Sequence, residues 1–271
     1  MKSKSDSKRQ KTVVITGASK GIGLATAKLF AQNGYKVFDL SRSGKTNQVY
    51  EHFDCDVTQS DSLTNAREQI LQRCDCVDAV ICNAGYGISG AVEFTTTQEA
   101  KRQFDVNFFG AFDTAKAFLG QMRKQGFGHI VFVGSVAGVF AIPFQAFYSA
   151  SKSALNALAC ALKQEVKGFG IKVSVVMPGD TKTEFTAGRQ KSVLGQDVYS
   201  CMQKSVSLME RDEQKGKSAY FVAKLIYKQA TKKRPKILVT AGAGYKTLVF
   251  LKRLLPETMS NNIVGGMYCK K

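Results

Sequence analysis

The strongest indication of the fold is the stretch Val13-Val14-Ile15-Thr16-Gly17-Ala18-Ser19-Lys20-Gly21-Ile22-Gly23, which joins an apolar run to a glycine-rich turn. A helix-like segment, residues 24–34, follows directly. Glycines at such a turn let the backbone bend sharply and approach a pyrophosphate, whose charge meets the N–H groups and positive end of the following helix. Because it stands between a strand and a helix, this glycine pattern predicts a dinucleotide-binding turn.

The same turn contains Gly17-Ala18-Ser19-Lys20-Gly21, a formal match to the G-x-S-x-G turn that carries the nucleophile of serine hydrolases. Hydrolase chemistry needs a histidine base that a carboxylate orients, and in this strand–turn–helix class the histidine comes late in the chain. The sequence has only two histidines, His52 and His129, and both fall in predicted strands. A serine hydrolase is therefore the less favoured alternative.

Short β-branched runs alternate with longer helical segments on both sides of this turn. Strands that are almost continuously apolar indicate a parallel sheet buried on both faces. The sequence predicts an α/β fold: a single Rossmann-type, doubly wound parallel sheet with helices on both faces, over residues 11–244. The predicted strands are Thr12–Thr16, Lys36–Leu40, Glu51–Cys55, Ala79–Cys82, Ile130–Val133, Val173–Met177 and Ile237–Val239, and the predicted helices lie near residues 21–33, 60–73, 97–125, 146–168 and 217–232.

Three segments depart from this alternation. Residues 1–10 are basic and are expected to be flexible, and residues 181–217 are polar and irregular, as a lid over a substrate pocket would be. Residues 245–271 form a basic and apolar extension. Within it, the segment around Lys246, Lys252 and Arg253 predicts either an amphipathic helix on an anionic membrane or, more favoured, a segment that covers the pocket or a neighbouring subunit.

Composition limits the remaining classes. The 271 residues carry a formal net charge of +18, and residues 228–271 hold ten Lys and Arg against the single acid Glu257. Such a basic tail could bind a nucleic acid, an anionic membrane or an anionic substrate, or it could serve solubility alone. No secretory signal or membrane-spanning run is recognisable, and the seven cysteines form no CxxC pair, so a cytoplasmic protein without a metal site is expected.

Tyr148 and Lys152 lie four residues apart, which places both side chains on one face of a helix. Alone, the pair could be an ordinary surface contact. With its neighbouring motifs, however, the sequence resembles the compact branch of the short-chain dehydrogenase/reductase family over about residues 11–240. The resemblance implies a catalytic tetrad of Asn107, Ser135, Tyr148 and Lys152. It also implies a nucleotide site that includes Tyr148 and Lys152 together with Gly17, Ser19, Lys20, Gly21, Ile22, Gly23, Ser41, Arg42, Asp56, Val57, Asn83, Ala84, Gly85, Pro178, Gly179, Thr181 and Thr183.

The chemistry of a carbonyl reduction fits these residue types. Hydride transfer to a carbonyl carbon leaves charge on the oxygen, so a proton donor must lie within hydrogen-bond reach. A tyrosine has a pKa near 10 and becomes useful near neutral pH if a nearby cation stabilises the phenolate. Lys152 is expected to lower the pKa of Tyr148 and to hold the nicotinamide ribose. Ser135 would orient the carbonyl oxygen, and Asn107 would anchor a water in a proton relay.

The cofactor preference depends on the end of the second strand. Enzymes that prefer NAD carry an acid there, which would repel a 2′-phosphate. Here the position is expected to hold Ser41 followed by Arg42, with Lys20 on the same side, and a guanidinium suits a phosphate. The sequence therefore predicts NADP(H), with NAD(H) as the alternative if Asp39 faces the ribose instead.

Apolar residues near the tetrad favour a hydrophobic alcohol or ketone as substrate, and the resemblance is to hydroxysteroid, retinol and acyl-lipid ketone reductases. It also implies a homodimer or homotetramer. A non-catalytic dinucleotide-binding or nucleic-acid-binding module on the same fold stays the alternative, although no nucleic-acid motif is recognisable. The apolar residues are Val139, Phe140, Ile142, Phe144 and Phe147.

Overall fold

A seven-stranded, fully parallel sheet forms the centre of the protein, in a computed structural model that describes residues 9–269. The strand order is β11-β7-β6-β4-β1-β2-β3, which confirms the predicted doubly wound sheet. The flexible segment expected at residues 1–10 falls outside the described residues up to residue 8. The seven strands are β1 (Thr12–Thr16), β2 (Lys36–Ser41), β3 (Glu51–Asp54), β4 (Ala79–Cys82), β6 (Gly128–Val133), β7 (Ile171–Met177) and β11 (Leu238–Thr240).

Helices cover both faces of the sheet, and alternate residues of one strand point into two separate cores. Val14 packs with Phe118 of α4 and Leu155 of α5, whereas Val13 and its neighbour Ile15 pack against α1 and α7 on the other face. This two-sided burial explains why the strands are apolar throughout. The helices are α1 (Gly21–Gln32), α2 (Ser60–Leu71), α3 (Thr97–Phe104), α4 (Gly110–Gln125), α5 (Ala146–Glu165), α6 (Met202–Lys215), α7 (Ala219–Thr231), α8 (Ala243–Lys252) and α9 (Glu257–Tyr268).

The segment 181–217 is more regular than its sequence predicts. It contains α6 and short strands: β9 pairs with β5 outside the segment, and β8 pairs with β10, which joins the two ends of the segment to each other. Helix α6 is hydrophilic and buries only one narrow side, so its sequence reads as a polar loop. The short strands are β5 (Ile88–Ser89), β8 (Thr181–Lys182), β9 (Gln190–Lys191) and β10 (Lys217–Ser218).

The last two helices, α8 and α9, extend beyond the sheet, and α8 spans the boundary expected between residues 244 and 245. Tyr245 packs over the chain that leaves β7: a Cβ added to Gly179 would lie 2.1 Å from the Tyr245 ring. The Tyr245 hydroxyl also bonds the carboxylate of Asp180. Among the helices of residues 9–269, none is long and apolar enough to cross a membrane.

Candidate active site

A cavity of about 740 Å³ opens at the carboxyl ends of the strands, where ligands bind in doubly wound sheets. Almost all the residues predicted from the sequence line it. Two do not, Gly23 and Asn107. The predicted residues in its wall are Gly17, Ser19, Lys20, Gly21, Ile22, Ser41, Arg42, Asp56, Val57, Asn83, Ala84, Gly85, Ser135, Tyr148, Lys152, Pro178, Gly179, Thr181 and Thr183.

The glycine turn is shaped by close packing as well as by its backbone angles. Gly17 has φ +70°, a conformation that L side chains rarely adopt. Gly23 is buried beneath the turn, where a Cβ would lie 2.1 Å from the Gly17 carbonyl oxygen and 2.7 Å from the Asn83 amide nitrogen. Gly23 therefore contributes by letting α1 approach the turn, while the other glycines face the cavity.

Thr16 and Asn83 fasten this turn to β4. The Thr16 hydroxyl oxygen accepts hydrogen bonds from the backbone N–H groups of Asn83 (2.9 Å) and Ala84 (3.0 Å). In return, the Asn83 side-chain amide donates to the carbonyl oxygens of Thr16 (3.0 Å) and Gly17 (3.2 Å). These hydrogen bonds fix the loop after β1 relative to the loop after β4. Thr16 was not assigned this role from the sequence.

Asp39 does not face the cavity. Its carboxylate is fully buried and accepts hydrogen bonds from the Ala18 backbone N–H (2.8 Å) and the Ser41 hydroxyl (2.7 Å), and it lies 2.9 Å from Nδ1 of His52. Ser41 and the exposed Arg42 line the cavity instead, with Lys20 also in its wall. The register of β2 is thus the one that the NADP(H) prediction assumes.

Asp56 and Val57 follow β3 and line the same end of the cavity. One Asp56 carboxylate oxygen accepts from the backbone N–H (3.0 Å) and the hydroxyl (2.8 Å) of Thr58, which fixes the side chain in a tight turn. The Ser62 hydroxyl accepts the Asp56 backbone N–H at 3.0 Å.

Tyr148 and Lys152 project from the first turns of α5 into the cavity wall. The Lys152 Nζ lies 5.9 Å from the centre of the Tyr148 ring and donates a hydrogen bond of 2.9 Å to the Val133 carbonyl oxygen at the end of β6. Ser135, two residues beyond β6, accepts the Ala137 backbone N–H at 3.1 Å and caps a short 3₁₀ turn. The elements β6 and α5 therefore bring these three side chains together.

Burial shifts both ionisable groups. Desolvation raises the pKa of Tyr148 to about 12, opposed by the nearby Ser135 hydroxyl, and it lowers the pKa of Lys152 to about 8. The pKa of Tyr148 is therefore raised by burial, whereas the sequence predicted that Lys152 would lower it.

Asn107 lies behind the cavity wall in a single π-helical turn, Asp105–Phe109, that separates α3 from α4. Its side chain is fully buried, accepts the Tyr86 backbone N–H at 3.0 Å and donates to the Tyr86 carbonyl oxygen at 2.9 Å. Such turns occur at functional sites, where one inserted residue redirects a side chain. A Cβ on Gly85 would lie 3.1 Å from the side-chain oxygen of Asn107 and 3.6 Å from Lys152 Nζ, so a side chain at this position would crowd both groups.

Of the apolar set expected around the tetrad, Phe140 and Ile142 line the cavity. Val139 packs against the core instead, and Phe144 lies edge-on to Tyr199, 6.1 Å between centres. Phe147 is likewise absent from the wall. Further apolar lining comes from two segments that the sequence predicted as covers of the pocket, the lid and the C-terminal extension, although their individual residues were not named there: Phe185, Met209, Leu248, Leu251, Leu255, Ile263, Val264 and Met267.

Three lid residues stand close to Tyr148 without belonging to any motif. The Phe185 ring packs on Tyr148, 5.7 Å between centres, and the guanidinium carbon of Arg189 lies over the Phe185 ring, 5.8 Å from its centre. The Arg189 side chain is 1% exposed and is paired with Glu213 of α6, which lines the cavity. A buried arginine within a polar segment leaves no periodic signal, so only the packing reveals it.

Comparisons with known proteins agree with this architecture. The short chain dehydrogenase family model matches residues 11–193. The chain belongs to the short-chain dehydrogenase/reductase family. It is thus an NAD(P)-dependent oxidoreductase by family, as the sequence motifs predict.

Full-length relatives support the same assignment. The chain is 37% identical over 252 residues to 3-ketodihydrosphingosine reductase of Bacteroides thetaiotaomicron, which covers 91% of this chain and 94% of that protein. A short-chain dehydrogenase from Streptomyces avermitilis is similar in structure, with a TM-score of 0.83 and 25% identity over 96% of this chain and 97% of that one. ElxO with NADP bound has a TM-score of 0.73 and 25% identity, over 88% and 99% of the two chains.

Both histidines contact residues other than Ser19. This further weakens the alternative that Ser19 is the nucleophile of a serine hydrolase. His52 lies against Asp39, and His129 bonds the Ser174 hydroxyl (3.0 Å) and the Ala230 carbonyl oxygen (3.1 Å). Among the hydrogen bonds of residues 9–269, none joins either ring to Ser19.

Proposed function

We propose that the protein transfers a hydride between NADP(H) and a hydrophobic alcohol or ketone of steroid-, retinoid- or lipid-like character. Asn107, Ser135, Tyr148 and Lys152 form the proposed tetrad. The observation that carries the proposal is the convergence of Ser135, Tyr148 and Lys152 on one cavity, whose other end is walled by the glycine turn.

Tyr148 is the proposed general acid for reduction and general base for oxidation. When bound, the nicotinamide supplies the hydride. A pKa of about 12 keeps the Tyr148 hydroxyl protonated at neutral pH, ready to donate to the carbonyl oxygen as charge develops there. The Ser135 hydroxyl, beside the phenol, orients and polarises that oxygen.

Lys152 has two proposed tasks, to hold the nicotinamide ribose and to stabilise the phenolate that proton donation leaves behind. Its pKa of about 8 means that most molecules carry the charge at neutral pH while the proton can still leave. Asn107 and Lys152 both lie beside Gly85, which supports a relay in which a water anchored by Asn107 would return a proton from solvent.

NADP(H) is the proposed cofactor because two cationic side chains line the end of the cavity where the adenosine would bind. The acidic side chain of β2, Asp39, does not line it. Arg42 and Lys20 both line it, whereas the carboxylate of Asp39 is turned inward and used by Ala18 and Ser41. A guanidinium recognises a phosphate through parallel hydrogen bonds. The similarity to ElxO, whose structure holds NADP, is consistent with this choice.

A lipid-like ketone is the proposed substrate class. Apolar side chains from the lid and from α8 and α9 dominate the end of the cavity beyond Tyr148. A relative at 37% identity is named for the reduction of 3-ketodihydrosphingosine, which supports a lipid carbonyl without fixing the substrate.

The direct test measures NADPH oxidation with a panel of hydrophobic ketones for the wild type and Tyr148→Phe. Loss of the proton donor should lower kcat by about 10²–10⁴-fold while NADPH still binds. Tyr199→Phe removes a hydroxyl that bonds Glu93 outside the cavity, so it should leave kcat unchanged.

Activity that survives Tyr148→Phe would refute the assigned proton donor. NADPH binding by the wild type without turnover of any ketone or alcohol would favour the alternative, a non-catalytic dinucleotide-binding module.

Pairing of subunits into a homodimer or homotetramer is part of the proposal. The outer side of α5 exposes small side chains at helical spacing, Ala150, Ser153 and Ala157, which would let a second helix approach closely. The mass in solution from light scattering is the direct measurement.

A further inference from the structure

The last two helices expose an apolar surface that the fold does not bury. Seven large apolar side chains between residues 248 and 267 are between 44% and 66% exposed. Contiguous apolar exposure of this kind on a folded protein marks a contact site. We call it the C-terminal apolar surface: Leu248, Phe250, Leu251, Leu254, Met259, Ile263 and Met267.

This surface is continuous with the mouth of the cavity. On α8, Leu248 and Leu251 line the cavity. Phe250 on α8 and Leu254, two residues after the end of α8, are exposed and do not line it. On α9, Met259, Ile263 and Met267 form a stripe at intervals of four residues, and its last two members again line the cavity. An apolar path therefore leads from the outside of the protein to the site of the proposed chemistry.

Positive charge accompanies the exposed apolar side chains. Lys246 and Arg253 are both exposed, and helical spacing places them beside Phe250. Glu257 is the single acid between residues 243 and 269, and Lys252 pairs with it. The surface is thus apolar in its middle and cationic at its border, which is the pattern of segments that lie on anionic bilayers.

We propose that the C-terminal apolar surface docks the protein on an anionic lipid bilayer, with the cavity mouth facing the acyl chains. A lipid substrate would then enter the cavity from the bilayer without crossing water. The docking stands on the surface alone, whereas the route of entry rests on the proposed function. Lys246 and Arg253 would reach the headgroups with their charged ends while their stems lie along the apolar side chains.

A second copy of the chain is the competing occupant, and the charges argue against it. A symmetric contact through this surface brings the same patch of both copies together. Lys246 and Arg253 of one copy would then approach those of the other, and the local acid is already paired with Lys252. An anionic bilayer neutralises these cations instead of opposing them.

The test is co-sedimentation with phosphatidylcholine vesicles that contain or lack phosphatidylserine, at low and high salt. The wild type should bind the phosphatidylserine vesicles, and binding should weaken at high salt because exposed charges are screened. Phe250→Ser/Leu254→Ser and Lys246→Glu/Arg253→Glu should each lower the partition coefficient about tenfold or more. Phe169→Ser is the matched control and should bind as the wild type does, because this exposed aromatic precedes the amino end of β7 and the cavity lies at the carboxyl ends of the strands.

Enzyme assays separate this inference from the proposed function. Neither Phe250 nor Leu254 lines the cavity, so their variant should reduce a water-soluble ketone as fast as the wild type and lose rate only with a ketone dissolved in vesicles. Absence of wild-type binding to phosphatidylserine vesicles at low salt would overturn the docking, as would binding that the two double variants leave intact. A molecular mass that falls in the Phe250→Ser/Leu254→Ser variant, without vesicle binding, would assign the surface to a second copy. Vesicle binding without turnover of any ketone would overturn the proposed function and leave the docking standing.

Discussion

At the scale of one residue, burial of the Lys152 side chain, a member of the proposed tetrad, lowers the free energy of unfolding. It is 5% exposed, and desolvation lowers its pKa from 10.5 to about 8. A shift of this size corresponds to about 3 kcal/mol of unfavourable free energy for the buried ammonium. The hydrogen bond to the Val133 carbonyl oxygen offsets only part of it.

Lys152→Met should therefore stabilise the nucleotide-free protein at pH 7. The gain in free energy of unfolding should be about 1–2 kcal/mol, because the Val133 carbonyl oxygen loses its partner. Between pH 8 and 10.5 the unfolded chain holds the lysine proton more tightly than the folded one, so wild-type stability rises with pH there and the difference should shrink. Urea unfolding of both proteins at pH 7 and 9.5 measures this difference in the free energy of unfolding. A variant less stable than the wild type at pH 7 would contradict the unfavourable free energy assigned to the buried ammonium.

Individual residues differ in how far their placement could be predicted. Tyr148 and Lys152 fall where the motif spacing puts them, because one helical turn fixes their common face. The location of Asn107 behind the wall could not be predicted, because it depends on one inserted residue in the π-helical turn. Arg189 and Glu213 were missed for another reason: 24 residues separate them along the chain, and they meet only where α6 packs against the first part of the lid.

At the scale of elements, His129 joins three pieces of secondary structure. It lies on β6, bonds the Ser174 hydroxyl on β7 and bonds the Ala230 carbonyl oxygen on α7. Desolvation lowers its pKa to about 4, so the folded protein keeps the ring neutral where the unfolded chain would protonate it. The stabilisation is present in full above pH 6.5 and is lost as the pH falls towards 4.

His129→Gln should remove this pH dependence. Between pH 7 and 5, the wild type should lose about 2 kcal/mol more of its free energy of unfolding than the variant does. Urea denaturation at the two pH values is the measurement. Equal losses in both proteins would mean that His129 is protonated in the folded state.

The central strands and most helices could be predicted within a few residues, because burial on both faces leaves an apolar run that only a covered parallel strand explains. The sequence predicts one helix over residues 97–125, whereas the structure divides it into α3 and α4. The π-helical turn between them keeps a helical pattern of side chains, so the sequence does not reveal the division. Helix α6 was not recognised, because its stability comes from contacts such as Met209 in the cavity wall and the pair of Glu213 with Arg189. Those contacts do not exist until the lid is folded.

At the scale of the whole molecule, the cavity is assembled from loops that follow β1, β2, β3, β4, β6 and β7, and a bound nucleotide would bridge them. A ligand that binds only the folded protein stabilises it, by about 2.7 kcal/mol at one hundred times its Kd. We expect saturating NADPH to raise the Tm by roughly 5–10 °C, and NADH at the same concentration to raise it less.

The variant Arg42→Asp should lose most of the NADPH shift and keep the NADH shift, because the new carboxylate repels a 2′-phosphate. Lys45→Asp makes the same charge change three residues away, outside the cavity wall, and should behave as the wild type does. Differential scanning fluorimetry with both nucleotides gives the comparison. Equal shifts from NADPH and NADH in the wild type would remove the proposed preference.

The inward carboxylate of Asp39 has a practical consequence for anyone who redesigns the nucleotide preference. In the sequence it is the acid nearest the end of the second strand, so it would be the obvious residue to replace. The hydrogen bond that its carboxylate accepts from the Ala18 N–H stabilises the glycine-rich turn that either nucleotide would need. Replacing Asp39 should therefore weaken the binding of NADPH and of NADH. An edit at Arg42, which lines the cavity, leaves that hydrogen bond in place, whereas an edit at Ser41 removes a donor to Asp39.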